Sequence, residues 1–158
     1  MTSSSAPPNT IPWPPIILAG GIAAGVALGH FYPLPWPAGQ AGDIVQGAGF
    51  AFVALAALIY YLSIRELRRH RTAINPTRAS SHLVTSGPFA FSRNPIYLAN
   101  GVLTVGLGLA TGNLWLAIIA FVAAYGEQQL GIVREERHLE ARYGKAWRDY
   151  AKRVRRWI

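Results

Sequence analysis

From Ile44 to Ile64, between Asp43 and Arg65, the chain carries no charged residue, and this run constrains the fold more than any other feature. A helix rises about 1.5 Å per residue and the hydrocarbon core of a bilayer is about 30 Å thick, so the run can cross a membrane as a helix. Three further apolar runs accompany it, from Ile16 to Phe31, Ile96 to Ala110 and Leu114 to Val133. The last is long enough to span, whereas the first and third are short and need support at their ends. Trp13 and Trp36 flank the first as interfacial aromatics do, and Asn94 with Pro95 would complete the third. Composition agrees: 51% of the residues are hydrophobic and 14% charged, which places the chain in the membrane class, and 158 residues suit a single domain, 1–158.

The opening "MTSSSAPPNTIPWPP" is rich in Ser and Pro and is expected to be disordered over 1–12. It has no Lys or Arg, so the first apolar run reads as a retained helix and not as a cleaved signal.

Charge sets the expected topology. All fifteen Lys and Arg residues fall in two blocks, Arg65 to Arg93 and Arg134 to Arg156. Under the positive-inside rule both blocks face the cytoplasm. The loop "HFYPLPWPAGQAGD" and the turn "TGN" then lie outside, the N-terminus lies inside, and the chain crosses four times. The expected fold is an all-α integral membrane protein of about four transmembrane helices, including a helical hairpin, with a cytosolic amphipathic helical tail. A net charge of +8 would also suit a nucleic-acid binder, but the basic residues flank membrane segments and no nucleic-acid motif accompanies them. The chain has no cysteine, which removes disulfides, thiolate nucleophiles and Cys-ligated metals. His30, His70, His82 and His138 show no metal-ligand spacing, so no metal is expected. Gly20, Gly21, Gly25 and Gly29, then Gly101, Gly106 and Gly108, lie inside apolar runs and read as sites of close helix packing.

Chemistry is then confined to the soluble segments and the helix ends. In the tail "REERHLEARYGKAWRDYAKRVRRWI", Leu139, Tyr143, Trp147, Tyr150, Val154 and Trp157 recur at helical spacing opposite a basic face. From Arg148 to Arg156 this reads as a membrane-surface anchor, with a bend at Gly144. Glu135 and Glu136 do not help such an anchor. Either they form a solvated cluster with Arg134 and Arg137, or one of them turns inward towards a cationic or hydroxyl-rich ligand. Glu127 lies about two turns inside the fourth run, where an ionisable side chain is costly and usually faces the bundle interior. At α-helical spacing it shares a face with Gly131, Arg134 and Glu135. Two readings stand: an internal contact from Glu127 to Arg134 that closes the bundle, or a functional site.

The stretch "SGPFAFSRNPIYLAN", Ser86 to Asn100, interrupts the chain with two prolines, a glycine and an arginine at the mouth of an apolar helix. Irregular backbone there is tolerated where it lines a cavity or is buried in protein. "SSHLVTSGPFAFSRNPIY", a helical hairpin and then "EERHLEARYGKAWRDY" together resemble the isoprenylcysteine carboxyl methyltransferase family, which is related to the phospholipid methyltransferases. The resemblance covers roughly Arg71 to Ile158. It implies an integral membrane enzyme that uses S-adenosylmethionine and releases S-adenosylhomocysteine. It also implies a cofactor pocket at the cytosolic face and a lateral opening for a lipophilic substrate. The family's cofactor-binding segments fall on Ser81, His82, Leu83, Val84, Phe89, Asn94, Pro95, Ile96, Tyr97 and Glu135. The chain departs from the family in having Asn94 where His is frequent and Phe89 where Tyr is frequent. Gly131 stands where eukaryotic members carry a substrate-linked arginine, a role that Arg134 would have to take from the next turn.

The residues themselves suit such a cofactor, whose site needs apolar walls, backbone donors and acceptors, and an anion. Gly87 and Pro88 make a turn that exposes backbone groups, Leu83, Val84 and Phe89 offer walls, and Glu135 or Glu136 offers a carboxylate. Arg93 has two options, the cofactor's carboxylate or Glu136. Methyl transfer to a carboxylate needs no base, whereas an amine must lose a proton, for which Glu127 or Glu135 is placed. The expected partners are therefore a lipophilic acceptor that enters from the bilayer and the membrane lipids. The competing class is a non-catalytic membrane scaffold or transporter subunit.

Overall fold

The computed structural model describes residues 11–72 and 82–158, and these are helical with no strand among them. Helix α1 covers Trp13–Phe31 and α2 covers Gln40–Arg69; a short 3-10 turn at Gly87–Ala90 precedes α3, Pro95–Thr111. Helix α4, Leu114–Glu127, passes through a π turn at Gln128–Ile132 into α5, Val133–Tyr143, and α6 covers Lys145–Arg153. Three of these are long and apolar enough to cross a membrane: α1, α2 and the continuous rod Leu114–Tyr143. The third expected span, α3, is a shorter apolar helix of 17 residues. The first ten residues of the segment expected to be disordered, and Ser81, lie outside the described residues.

Local sequence explains the helix limits. Proline is tolerated in a first turn because the missing N–H has no intrahelical acceptor there, and α1 and α3 both begin with one. Asn113 caps α4 by accepting from the Trp115 N–H at 3.1 Å, and Gly112 closes α3 at φ 68°. Helix α2 continues past the membrane-length run to Arg69, so the first basic block begins on the helix, with Arg65, Arg68 and Arg69 in its last turns.

The helices pack in the order α1, α4, α3, α2, with α3 held between its neighbours. Small residues permit this. A Cβ at Gly49 would strike the Ala110 backbone, and one at Gly106 would stand 2.9 Å from the Val53 nitrogen. Gly25 and Gly108 are equally tight against Leu116 and Ala117, as expected, but Gly20 and Gly101 face open space. The outer faces present Val26, Phe50, Leu58, Phe121 and Val122, side chains that suit lipid better than water.

The tail departs from the expected surface anchor. Trp147, Tyr150 and Val154 are buried in a cluster with Leu83, Leu139, Tyr143 and Ala151. Its apolar stripe is therefore spent on protein. Gly144, at φ 52°, turns the chain between α5 and α6 so that this packing can form.

Candidate functional site

Helix α3 carries Tyr97, Asn100 and Thr104 at i, i+3 and i+7, so they share one face, and all three are buried. The Tyr60 hydroxyl of α2 donates to Asn100 Oδ1, and Asn100 Nδ2 donates in turn to Glu127 Oε1 of α4. Glu127 is 1% exposed, so its carboxylate has exchanged water for this amide. One turn nearer the start of α3, the Tyr97 hydroxyl donates to Glu135 Oε1 at 2.6 Å. Two acidic side chains of the rod thus face the same side of α3.

The π turn explains how. A turn closed by i→i+5 bonds takes more residues per revolution than an α turn, so residues after it are rotated back relative to α-helical spacing. Glu127 and Glu135, on either side of it, both reach α3, while Arg134 is exposed. The expected four-residue face therefore loses Arg134. The expected contact of Glu127 with Arg134 is replaced by the bond from Asn100. Gly131, within the π turn, lies under Tyr97: a Cβ there would come within 2.7 Å of the phenolic oxygen.

The loop and the tail meet beside this face. Leu83 packs on the Trp147 cluster, Val84 is buried, and the His82 N–H approaches Thr72 Oγ1 at 3.4 Å. Gly87 takes φ 60° directly over Glu66, whose carboxylate accepts from Ser86 Oγ at 2.5 Å and contacts His70 at 3.3 Å. The Phe89 carbonyl accepts from the Tyr150 hydroxyl at 2.6 Å. Burial pushes the Tyr150 phenol above its ordinary range, Glu136 adds to this and Arg93 opposes it, so the hydroxyl remains a donor. Asn94 and Pro95 are buried at the start of α3, and Ile96 is partly so.

Of its two candidate partners, Arg93 meets Glu136, at 3.3 Å, and its guanidinium lies 5.6 Å from the Trp147 ring centre. Glu136 also accepts from Arg156 at 2.7 Å and 3.2 Å, so its cations come from the loop and the chain end and not from Arg134 or Arg137. Those bonds hold the Arg156 guanidinium above its usual range. The last residues form a strap: Arg93 N–H donates to the Arg155 carbonyl at 3.0 Å, Asn94 Nδ2 to the Arg156 carbonyl at 3.1 Å, and Trp157 Nε1 to Gln128 Oε1 at 3.0 Å.

Sequence reasoning missed Tyr60 and Asn100. The signal was available, since Asn100 stands within an apolar helix, where an amide needs a buried partner.

A bundle of membrane-length helices that buries a carboxylate between them, with a polar loop strapped to its end, defines an integral membrane protein with an interhelical polar site. The chain belongs to the phospholipid methyltransferase family, whose profile matches residues 45–146, and this points to a membrane methyltransferase. Over 77 residues it is 40% identical to the nickel-cobalt-cadmium resistance protein NccN of Alcaligenes xylosoxydans xylosoxydans, covering 49% of this chain and 36% of that protein. An uncharacterised protein of Haemophilus influenzae is 35% identical over 65 residues, 40% of this chain and the full length of that one. The Delta(14)-sterol reductase LBR of Gallus gallus is 23% identical over 150 residues, 90% of this chain and 23% of that protein.

Proposed function

We propose that the chain is an S-adenosylmethionine-dependent methyltransferase, built as one domain, that acts on a lipophilic acceptor, with an isoprenylcysteine-like carboxylate as the first candidate. The observation that carries this reading is the Tyr97 to Glu135 hydrogen bond over Gly131, formed where the loop from Leu83 to Asn94 is tied to the tail. It unites segments that are far apart in sequence and that resemble cofactor-binding segments of methyltransferases.

The donor set fits the cofactor. Glu135 offers a carboxylate to an ammonium or to ribose hydroxyls, and the Gly87 turn exposes backbone groups. His138 Nε2, one turn beyond Glu135, is buried without a hydrogen-bond partner. Residues His82 to Phe89, Tyr97 and Glu135 would hold the group, with Arg93, Asn94, Pro95, Ile96 and Glu136 keeping the loop and strap in place. When bound, S-adenosylmethionine supplies a methyl group that its sulfonium has already activated. The protein's task is then alignment and exclusion of water. Arg134, exposed two residues past the π turn, would have to meet an acceptor carboxylate from outside the face that Glu127 and Glu135 share. In this reading α3 is a fourth crossing, and the cofactor site, α5 and α6 face the cytoplasm with the basic blocks.

A second reading, methylation of a phospholipid or other amine, is favoured by the packing at Gly131. No side chain fits there without moving Tyr97, so a substrate arginine has no place at that position. Glu127, which accepts from Asn100, would then take the amine proton. Purified protein incubated with membrane lipids and isotopically labelled methyl donor tests both. A base-labile labelled ester supports the first reading, a stable labelled N-methyl lipid the second, and no labelled product contradicts the enzymatic assignment.

A further inference from the structure

A second polar feature lies on another face of the tail. Helices α5 and α6 enclose a cleft of about 460 Å³ whose rim carries Arg93, Arg137, Arg148, Lys152 and Arg156, with Trp147 among its lining residues. Against these five cations stand two carboxylates, Glu136 and Glu140. Glu136 is taken up by Arg93 and Arg156, and Glu140 lies 3.7 Å from Arg148. Arg137 and Lys152 therefore extend into the cleft as surplus charge, and both are exposed. Arg93 Nε is buried with no acceptor. The cleft uses Val133, Glu136, Arg137 and Glu140 of α5, the i, i+3, i+4 and i+7 positions of one stripe, whereas Glu135 points to Tyr97.

We propose that this cleft binds the phosphodiester headgroup of an anionic phospholipid. Its depth along the rod decides between a lipid and a soluble anion. Val133 is the last apolar residue before Arg134, so the cleft opens where the apolar segment ends and the charged segment begins, at the level of lipid headgroups. Guanidinium groups match phosphate oxygens in pairs, and the buried Trp147 ring forms the floor that holds Arg93 at the cleft. A zwitterionic headgroup brings its own cation into the basic cleft and binds less well. The site does not depend on methyl transfer, and the bound lipid is not the acceptor.

The test is native mass spectrometry of the full chain in detergent, titrated separately with phosphatidylglycerol and phosphatidylcholine. Phosphatidylglycerol should bind at least tenfold more tightly. The double variant Arg137→Gln/Lys152→Gln should weaken it about thirtyfold, at about fivefold per cation lost. The matched variant Arg142→Gln/Arg153→Gln removes the same charge from α5 and α6 outside the cleft and should leave binding within about twofold. All four positions are exposed, and an unchanged unfolding temperature of each variant in detergent checks that the fold is kept. Equal weakening by the two variants would reduce the effect to diffuse attraction and overturn the proposal. Displacement of the lipid by millimolar inorganic phosphate would overturn it as well, because the cleft would then be a free-anion site.

Discussion

Asn100 joins α2, α3 and α4 through one side chain, because its carbonyl accepts from Tyr60 while its amide serves Glu127. Asn100→Ala leaves the buried Glu127 carboxylate and the half-buried Tyr60 hydroxyl without their partner. We expect it to cost about 1–3 kcal/mol in thermal or denaturant unfolding in detergent. Tyr60→Phe removes one bond and should cost less than about 1 kcal/mol. Equal small losses would contradict the bridging role. Glycine 131 gives a sharper case. Gly131→Ala should displace the Tyr97 hydroxyl from Glu135, and on the proposed function it should weaken cofactor binding about tenfold while Tyr97→Phe does so by a similar factor. At this scale the sequence was partly legible. An acid inside an apolar helix announces a buried site, so Glu127 was readable. A lone amide in an apolar helix likewise marks Asn100 as buried, but that it pairs with Glu127 was not readable, because the residue it faces depends on the rotation of α3. Arg134 leaves the expected face for a related reason: α-helical spacing does not hold across a π turn, and nothing in "QQLGI" signals the wider turn.

The loop, α5, α6 and the strap behave as one element. Glu136 sits between Arg93 and Arg156, at side-chain exposures of 13%, 14% and 34%, so the cluster is only partly screened. Glu136→Gln should cost about 1–2 kcal/mol, in the range between an exposed pair and a buried one. Arg156→Gln should cost a similar amount, and the double variant should fall short of the sum because the two changes remove the same bonds. Limited proteolysis near residue 154 should be faster in both. Full additivity would show that the cluster does not fasten the strap. The amphipathic period of α6 was legible in the sequence, but its destination was not. Trp147 and Tyr150 suit a membrane surface as well as a protein groove, and only Leu83, over sixty residues away, decides between them.

For the whole molecule, the four apolar runs and the two basic blocks were readable because span length and charge asymmetry are local properties. Helix order in the bundle was not, since it rests on the glycine contacts that bring α2 against α3. The absence of cysteine makes topology directly measurable. Single cysteines at Ala38, Gly112 and Lys145, labelled in sealed vesicles with an impermeant maleimide, should place the first two on one side and the third on the other. All three on one side would contradict four crossings. The central claim, that the loop and the rod beyond the π turn jointly hold S-adenosylmethionine, is tested most directly by calorimetric titration of S-adenosylhomocysteine into detergent-solubilised wild type and Glu135→Gln. Gln keeps an acceptor for Tyr97, so the fold should persist. Saturable binding by wild type, weakened at least tenfold in the variant, is the predicted result; no binding by wild type, or equal binding by both, would contradict the account.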